Sequence, residues 1–351
     1  MTFQTAPFVL KIESNSSVPK YIQAAKCIAE DIKSGKIKKG QRIPSINDLS
    51  DKNRMSRDTI EKAFKILRDR DLIFSVKGVG NFVSASDADT KINILFFINK
   101  PSSYKIETYN SFVSALGDKA HVNMFLYYYD DALFITELKK NLHNYHYFVI
   151  MPHFKNKMQH HVNFTPKALK AVESIPKEKL IILDNSPFEI SGSFISIYQD
   201  FQQDIVQSLT EALPKLKKYE EIILVYPLRS VFPCPAPVLS GFTAFCSLHG
   251  FEYEILNEIS SDLKFETRQV FITEEDSDLV GLISQAKEKN LVLGRDLGVI
   301  SYNETPLKAL LDITVVSTDF KGMGEAAANL LLSGEKKVYK NPFQYIERRS
   351  L

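Results

Sequence analysis

The feature that most constrains the fold is a regular alternation of short apolar runs and helical patterns from residue 92 onward. Ile92–Ile98 and Gln269–Thr273 are two of these apolar runs, and amphipathic stretches lie between many of them. Alternating strands and helices form parallel sheets, because each helix carries the chain back to the same end of the sheet. So many strands suit two doubly wound lobes better than one. The sequence therefore predicts an α/β architecture with a ligand-binding cleft between two lobes, at the carboxyl ends of the strands.

The first ninety residues have a different composition. They carry 16 Lys and Arg against 11 Asp and Glu, a net charge of +5, whereas the whole chain has a net charge of +2. A small basic domain joined to a mildly acidic one fits contact with nucleic acid at the N-terminal end. The hydrophobic share of 44% and the charged share of 25% exclude a disordered chain.

Within this basic segment, the pattern predicts three helices followed by a β-hairpin. The first helix is predicted over residues 19–34, and Ser45 and Ser56 are good N-caps for the second and third. The hairpin follows, with its turn at Gly78–Gly80. A short strand is predicted ahead of the helices, at Phe8–Glu13.

Three stretches of this segment, SGKIKKGQRIPS, MSRDTIEKAFKIL and KGVGNFV, together resemble the GntR family of bacterial winged-helix regulators. The resemblance implies a recognition helix that places its N-terminal residues against the major groove, and a wing beside it. Arg57 in the first turn could then reach a guanine edge or a phosphate, while Lys62 and Lys77 taken alone could equally be solvated surface groups. The DNA-contacting residues expected on this basis are Ser45, Asn47, Ser56, Arg57, Asp58, Thr59, Lys62, Lys77 and Gly78.

The segment departs from the family at two positions. Asn47 stands where the family often has an arginine, and Glu61 stands where many members carry another. We therefore expect an operator that differs from the family's common half-site.

The remainder of the chain resembles the effector domain of LacI-type regulators, which is similar to periplasmic binding proteins of type I. The stretches SFISIYQDFQQDI, VFITEEDSDLVG, VISYNETP and DITVVSTDFKGMGEAA carry the resemblance. It implies a small-molecule effector, expected to be a monosaccharide or a derivative, because carboxylates, amides and hydroxyls at strand ends pair with sugar hydroxyls. Val238 stands where the family often has an arginine that grips sugar oxygens.

Candidate effector-binding residues lie close to the ends of predicted strands, and each could equally be an ordinary loop residue. They are Tyr104, Tyr109, Asp130, His153, Asp184, Asp200, Glu275, Asp276, Asn303 and Thr318.

The predicted domains are a winged helix-turn-helix over residues 1–84, a linker over 85–91 and an effector-binding and dimerisation domain over 92–351. Lobe 1 is expected at about 92–199 and 319–340, and lobe 2 at about 200–318 and 341–351. The linker SASDADTK is small and polar, which is typical of an interdomain tether.

Several other functions find no support in the sequence. The three cysteines form no CxxC pair, neither the pair His143 and His146 nor the adjacent His160–His161 has metal-ligand companions, and no cofactor motif is present. We therefore expect no metal and no cofactor. A cytoplasmic location without membrane contact is expected, because the sequence shows neither a signal peptide nor an apolar run long enough to span a bilayer.

Together these patterns predict a non-enzymatic transcriptional regulator, by default a repressor, that binds a palindromic operator in double-stranded DNA as a homodimer and responds to its effector. This arrangement resembles the arabinose-responsive repressors. Two alternatives remain open. The first is a small-molecule-binding protein without a transcriptional role, which would need a signal peptide. The second is a two-lobed α/β enzyme, which would need a set of catalytic residues.

Overall fold

The computed structural model describes residues 9–13, 15–70, 72–76, 78–84, 91–186, 188–227, 233–266 and 268–351. The chain divides into two compact units, Met1–Ile92 and Asn93–Leu351. Among the described residues, no helix is long and apolar enough to cross a membrane.

The first unit contains three helices and a two-stranded antiparallel hairpin. They are α1 (Lys20–Lys33), α2 (Ile46–Asn53), α3 (Arg57–Asp69), β1 (Ile73–Val76) and β2 (Gly80–Val83). Ile60, Ala63, Phe64 and Leu67 recur at spacings of three and four along α3 and are fully buried against α1 and α2. One apolar face of α3 is thereby used for the core, which leaves its polar face to solvent.

The strand predicted at Phe8–Glu13 is wrong for the residues described there, because 9–13 form no strand. Leu10 instead inserts into the helical core, with 7% of its surface exposed, and its backbone N–H donates to Asn53 Oδ1 at 2.8 Å. The apolar residues of this segment therefore pack on helices rather than pair with a neighbouring strand. Phe8 lies outside the described residues.

The second unit alternates strands and helices along its length. Its strands are β3 (Ile92–Ile98), β4 (Ala120–Leu126), β5 (Tyr147–Ile150), β6 (Phe154–Lys155), β7 (His161–Val162), β8 (Leu180–Asp184), β9 (Ile195–Tyr198), β10 (Glu221–Val225), β11 (Glu252–Leu256), β12 (Gln269–Thr273), β13 (Gly298–Tyr302), β14 (Thr314–Thr318), β15 (Val338–Lys340) and β16 (Phe343–Ile346). Its helices are α4 (Ser103–Leu116), α5 (Asp131–Asn141), α6 (Pro166–Glu173), α7 (Phe201–Leu216), α8 (Ala236–His249), α9 (Asp276–Glu288), α10 (Pro306–Leu310) and α11 (Phe320–Ser333).

These strands form two six-stranded sheets, one in each lobe. The lobe 1 sheet has the order β15-β9-β8-β5-β3-β4, and the lobe 2 sheet has the order β11-β10-β12-β13-β14-β16. Neighbouring strands run parallel wherever their register is defined, except for the antiparallel pair β14 and β16. Strands buried on both faces read as continuous apolar runs, as in Leu180–Asp184.

The chain passes between the lobes three times: after β9, after β14 and between β15 and β16. The second passage is held by close packing of α11 on α4. A Cβ atom added at Gly324 would lie 2.1 Å from Ser111 Oγ and 2.3 Å from the Thr108 carbonyl oxygen, so only glycine permits this approach. A small two-stranded hairpin, β6 with β7, lies beside the lobe 1 sheet.

Candidate functional site

The N-terminal turn of α3 offers the first candidate site. Ser56 is the N-cap, and its Oγ accepts from the Thr59 backbone N–H at 3.1 Å and lies 2.7 Å from Thr59 Oγ1. Arg57 and Asp58 follow in the exposed first turn. The cap fixes the start of the helix. Arg57 therefore lies at the N-terminal end of α3, which carries the positive pole of the helix dipole. This end is suited to bind phosphate or a base edge.

Asp58 and Lys62 face each other one turn apart on α3. The Lys62 Nζ lies 2.7 Å from Asp58 Oδ2, and the hydrogen bond from this ammonium raises the pKa of Lys62. Both side chains are exposed, so the pair adds little to stability. The ammonium is nevertheless partly neutralised by Asp58, which weakens its attraction for a phosphate.

The turn before α2 holds the next two predicted contacts. Ser45 caps α2 in a reciprocal capping box with Asp48, whose pKa is lowered by hydrogen bonds from the Ser45 hydroxyl and backbone N–H. The Ser45 side chain therefore has a structural partner already. Asn47 is exposed on the first turn of the helix.

The tip of the hairpin carries the remaining predicted DNA contacts. Gly78 is exposed and has a φ of 75°, a left-handed conformation that suits glycine in a tight turn. Lys77 lies outside the described residues.

Two arginines that the sequence analysis did not single out belong to the same unit. Arg42 packs its guanidinium over Gly80, where an added Cβ would lie 2.9 Å from Arg42 Nε, and exposed Arg54 ends α2 immediately before α3.

The second candidate site is a cleft of about 270 Å³ in the second unit. It is built by loops at the carboxyl ends of strands from both sheets, including those after β3, β9, β12 and β13. Both aromatic rings and charged groups line it. The aromatic members are Tyr104, Tyr129, Phe201, Tyr302 and Phe320, and the charged members are Lys100, Glu274, Glu275, Asp276, Glu304 and Lys308.

Five of the ten predicted effector-binding residues line this cleft. They are Tyr104, His153, Glu275, Asp276 and Asn303. Tyr104 stacks its ring near that of Phe320, with ring centroids 4.5 Å apart, and the two form an aromatic wall. Desolvation raises the pKa of the Tyr104 hydroxyl well above its usual value, so Tyr104 remains a neutral phenol.

Three predicted residues are directed elsewhere by local hydrogen bonds. Tyr109 lies farther along α4, and its hydroxyl donates to the Val122 carbonyl at 3.0 Å. Asp130 caps α5 by accepting from the N–H groups of Ala132 and Leu133. Asp200 caps α7 by accepting from the Gln203 N–H at 3.1 Å. None of the three lines the cleft, so their expected placement is corrected.

Asp184 and Thr318 lie behind the cleft rather than on its surface. Asp184 is fully buried and bonds both His153 and the Gln199 side chain. The Thr318 hydroxyl donates to Gln199 Oε1, and Thr318 borders a separate cavity of about 790 Å³ beside α4 and α11. Gln199 itself lines the cleft, so both residues would act on a ligand through it.

A buried polar chain runs from the β6–β7 hairpin to the second lobe passage. His153 Nε2 lies 2.6 Å from Asp184 Oδ2, and His153 Nδ1 lies 2.8 Å from His161 Nε2. Since a carboxylate only accepts, His153 Nε2–H donates to Asp184 and Nδ1 accepts from His161. Both ring nitrogens of His153 are occupied, so His153 offers a ligand its ring face.

The charges in this chain are set by burial. Burial lowers the pKa of His153 to about 4, against the opposing attraction of Asp184. Burial alone would raise the pKa of the Asp184 carboxyl, but His153, Lys105 and the bond from Gln199 outweigh it and lower that pKa. The arrangement is therefore an ionised carboxylate held by a neutral imidazole and an amide.

Two lysines on the cleft wall were missed by the sequence analysis. Lys100 follows β3 in lobe 1, and its Nζ lies 3.6 Å from Glu275 Oε1 in lobe 2, so this ion pair spans the cleft. Lys308 is only 3% exposed, and its Nζ contacts Asp276 Oδ1 at 2.8 Å and the Tyr302 carbonyl at 2.6 Å. Among the described residues, no group of three or more His, Cys, Asp or Glu side chains is arranged to hold a metal ion.

Each of the two units matches a model of a known protein family. Residues 20–83 match the family model of bacterial regulatory proteins of the gntR family, and residues 216–350 match that of the periplasmic binding protein-like domain. The chain is similar to the uncharacterised HTH-type transcriptional regulator YurK of Bacillus subtilis, with 34% identity over 74 residues. This match covers 21% of the chain and 31% of YurK, so the chain spans about a third of that relative's length.

Solved structures share the fold of most of the chain. A LacI family regulator from Lactobacillus casei with bound glucose superposes with a TM-score of 0.57 at 14% identity, covering 74% of this chain and 99% of the other. The trehalose repressor from Escherichia coli superposes with a TM-score of 0.57 at 16% identity, covering 73% and 100%. The Lac repressor bound to ONPG superposes with a TM-score of 0.57 at 15% identity, covering 84% and 90%.

The fold and these matches define a class of protein: a unit of three helices and a β-hairpin that is similar to gntR-family regulators, followed by a two-lobed α/β unit that is similar to periplasmic binding proteins. Within this chain the match to the gntR family model lies in the first unit, the match to the periplasmic binding protein-like domain lies in the second, and the LacI family regulators share the fold. The resemblances to both families and the predicted fold class are thereby confirmed.

Proposed function

We propose that this protein is a transcriptional regulator whose DNA binding is controlled by a sugar held in the interlobe cleft. The observation that carries the proposal is the union of two parts in one chain: a gntR-type recognition helix with an exposed first turn, and a cleft walled by aromatic rings and hydrogen-bonding groups. Aromatic rings cover the apolar faces of sugars, while amides and carboxylates pair with their hydroxyls.

Arg57 is the proposed base-reading residue, since it stands in the exposed first turn of α3. Asn47 and Gly78 are exposed, and Ser56 and Thr59 form the cap beside Arg57. We propose that these four residues and Lys77 contact the phosphates or deoxyriboses of the DNA backbone. We add Arg42 and Arg54, which supply positive charge in a segment where Asn47 and Glu61 replace common family arginines. The pairings of Ser45 and Asp58 make them supporting residues.

In the cleft we propose that Tyr104 and Phe320 cover the apolar face of the effector, while Gln199, Asn303 and Glu275 bond its hydroxyls. The regulator from Lactobacillus casei has been solved with bound glucose and with bound sucrose, which supports a sugar as the ligand class. The protein is proposed to be a cytoplasmic, non-enzymatic repressor that binds a palindromic operator as a homodimer, because a two-fold protein matches a two-fold site.

The test uses the full-length protein in two assays. A palindromic duplex enriched from a random pool is labelled, and its binding is followed by fluorescence anisotropy; a sugar panel is then screened by thermal shift. We expect a dissociation constant of about 10⁻⁸ M or lower for the duplex, and at least one sugar that raises the melting temperature and weakens duplex binding. A hundredfold excess of ligand over its Kd stabilises the folded state by about 2.7 kcal/mol.

Tyr104→Ala provides a matched control, because it should abolish the sugar response and leave duplex binding in the absence of sugar unchanged. Sugar binding without specific duplex binding would instead support a small-molecule-binding protein. Chemical conversion of a bound sugar would support the two-lobed enzyme.

A further inference from the structure

The acidic residues of the cleft are not equivalent. Glu275 is paired with Lys100 at 3.6 Å, Asp276 with Lys308 at 2.8 Å, and Glu304 with Arg348 at 2.8 Å. Glu274 lines the same cleft but forms no ion pair among the residues that the structure describes. Its Oε2 atom is buried and has no hydrogen-bond partner there. Three of the four cleft carboxylates therefore have a protein cation, and the fourth has none.

A second polar group at the cleft is also unsatisfied. The Tyr302 side chain is 8% exposed and lines the cleft, and its hydroxyl has no hydrogen-bond partner among the described residues. Buried hydroxyls and carboxylates are normally paired, because an unpaired one loses its bonds to water and gains nothing in return. Glu274 and Tyr302 thus offer a ligand two polar groups that the described protein residues do not satisfy.

The surroundings of Glu274 favour a positively charged partner. The rings of Tyr104, Tyr129 and Tyr302 line the cleft, and the faces of such rings attract cations. Burial raises the pKa of the Glu274 carboxyl to about 7, because the bond with the Cys234 thiol and the charge of Lys100, which both lower this pKa, do not offset the cost of burial. A ligand cation would add positive charge there.

We infer that the effector is an amino sugar, whose protonated amine pairs with Glu274 while its hydroxyls bond Tyr302 and the amide groups of the cleft. This inference rests on the proposed function, and it names a narrower ligand class. A neutral sugar would give Glu274 no ion pair. An anionic sugar would meet a cleft wall on which acidic side chains outnumber the lysines, both of which are engaged by carboxylates.

The test compares neutral and amino sugars that differ at one substituent: glucose with glucosamine, galactose with galactosamine, and mannose with mannosamine. Full-length protein is screened at pH 7 by thermal shift, and the best pair is measured by calorimetry. We expect an amino sugar to bind at least tenfold more tightly than its neutral counterpart, which is the size of effect that a charge-assisted hydrogen bond supplies.

Two variants locate the effect. Glu274→Gln should cost the amino sugar at least tenfold in affinity and leave the neutral sugar unchanged, and the ligand-free variant should melt at the wild-type temperature or above it. Glu304→Gln is the matched control, because Glu304 lines the same cleft but already has Arg348 as its partner. It should retain the preference for the amine.

A neutral sugar that binds as tightly as its amine, or equal losses for both sugars in Glu274→Gln, would overturn the inference while the proposed function stands. If no amino sugar binds, the inference is overturned, and if no neutral sugar binds either, the sugar class of the proposed function falls with it. Failure of the protein to bind a specific duplex would overturn the regulatory function alone, because the sugar measurements do not depend on DNA.

Discussion

Among single side chains, Arg57 gives the most direct test of the proposed DNA-contacting surface. Arg57→Ala should weaken binding of the enriched duplex by about 1–3 kcal/mol if the guanidinium reads a base. Arg68→Ala is the control, because Arg68 has the same charge but stands in the last turn of α3. Anisotropy titrations of both variants at one salt concentration measure the difference. Equal binding by Arg57→Ala and the wild type would remove Arg57 from the interface.

The buried pair of His153 and Asp184 predicts a pH dependence of stability. Because the pKa of His153 falls from 6.5 to about 4 on folding, the unfolded chain binds a proton between these values that the folded chain does not. The free energy of unfolding should therefore fall as the pH drops from about 6.5 to 4, by up to about 1.4 kcal/mol per pH unit for this one proton. The lowered pKa of Asp184 adds a further loss at lower pH, as its carboxylate becomes protonated.

Urea unfolding of the intact protein at pH 7, 6 and 5 measures this dependence. His153→Asn should be less stable at pH 7, because it loses the bond to Asp184, and its stability should change less with pH. His143→Asn is the control, since His143 is exposed and should leave the dependence unchanged. A wild-type stability that does not change between pH 7 and 5 would contradict the buried neutral imidazole.

At the level of elements, Gln199 ties together the two passages that leave β9 and β14. It donates to Asp184 and accepts from the Thr318 hydroxyl. Thr318→Val removes one hydrogen bond at nearly constant shape and should cost about 1 kcal/mol of stability. Gln199→Leu should cost more, about 1.5–3 kcal/mol, because it leaves a buried carboxylate short of a donor. Urea unfolding of both variants gives the comparison, and the reverse order would show that Asp184 does not depend on Gln199.

The bounds of helices and strands could be predicted from the sequence where whole faces of an element are buried. Gln269–Thr273 was predicted as a strand and is β12, since a continuous apolar run suits a strand covered on both faces. The first helix, predicted over 19–34, is α1 at Lys20–Lys33, since spacings of three and four marked its buried face. At Phe8–Glu13 a similar apolar run led to a wrong strand prediction, because a short run does not show whether it pairs with a strand or packs on helices.

The direction in which side chains point at strand ends could not be predicted from the sequence. Gln199 and Asp200 are neighbours, yet Gln199 lines the cleft while Asp200 caps α7. Proximity to a strand end places a residue near the cleft, but the backbone angles of the turn decide where its side chain points. Asp184 and Asn303 both adopt positive φ values, of 80° and 65°, which no pattern of residue types reveals. Lys308 was missed because its burial depends on partners from several loops.

At the scale of the whole chain, the sequence predicts that DNA binding and effector binding can be separated. Ser84–Lys91 has no apolar residue larger than alanine, so a protease should cut there first. We expect a stable fragment that begins near residue 90, binds the effector and does not bind DNA. The fragment of residues 1–84 should bind DNA weakly, because two tethered heads gain affinity through their effective concentration.

Light scattering on the larger fragment locates the dimer contact. We expect a dimer at micromolar concentration, since the larger unit is proposed to hold the two heads at the spacing of a palindrome. A monomeric fragment from a dimeric intact chain would place the contact elsewhere, and the proposed coupling between effector and DNA would fail with it.

The triple passage of the chain between lobes also sets the order in which the protein is completed during synthesis. The winged-helix elements are all made by residue 83, but the lobe 1 sheet lacks its edge strand until β15 emerges at Val338–Lys340, and lobe 2 lacks β16 until Phe343–Ile346. At about 5–20 residues per second, a ribosome needs roughly 10–50 s to cover that interval. A nascent chain therefore carries a finished winged-helix unit well before it has a finished cleft, and during that time the proposed effector could not act on the proposed DNA-binding unit.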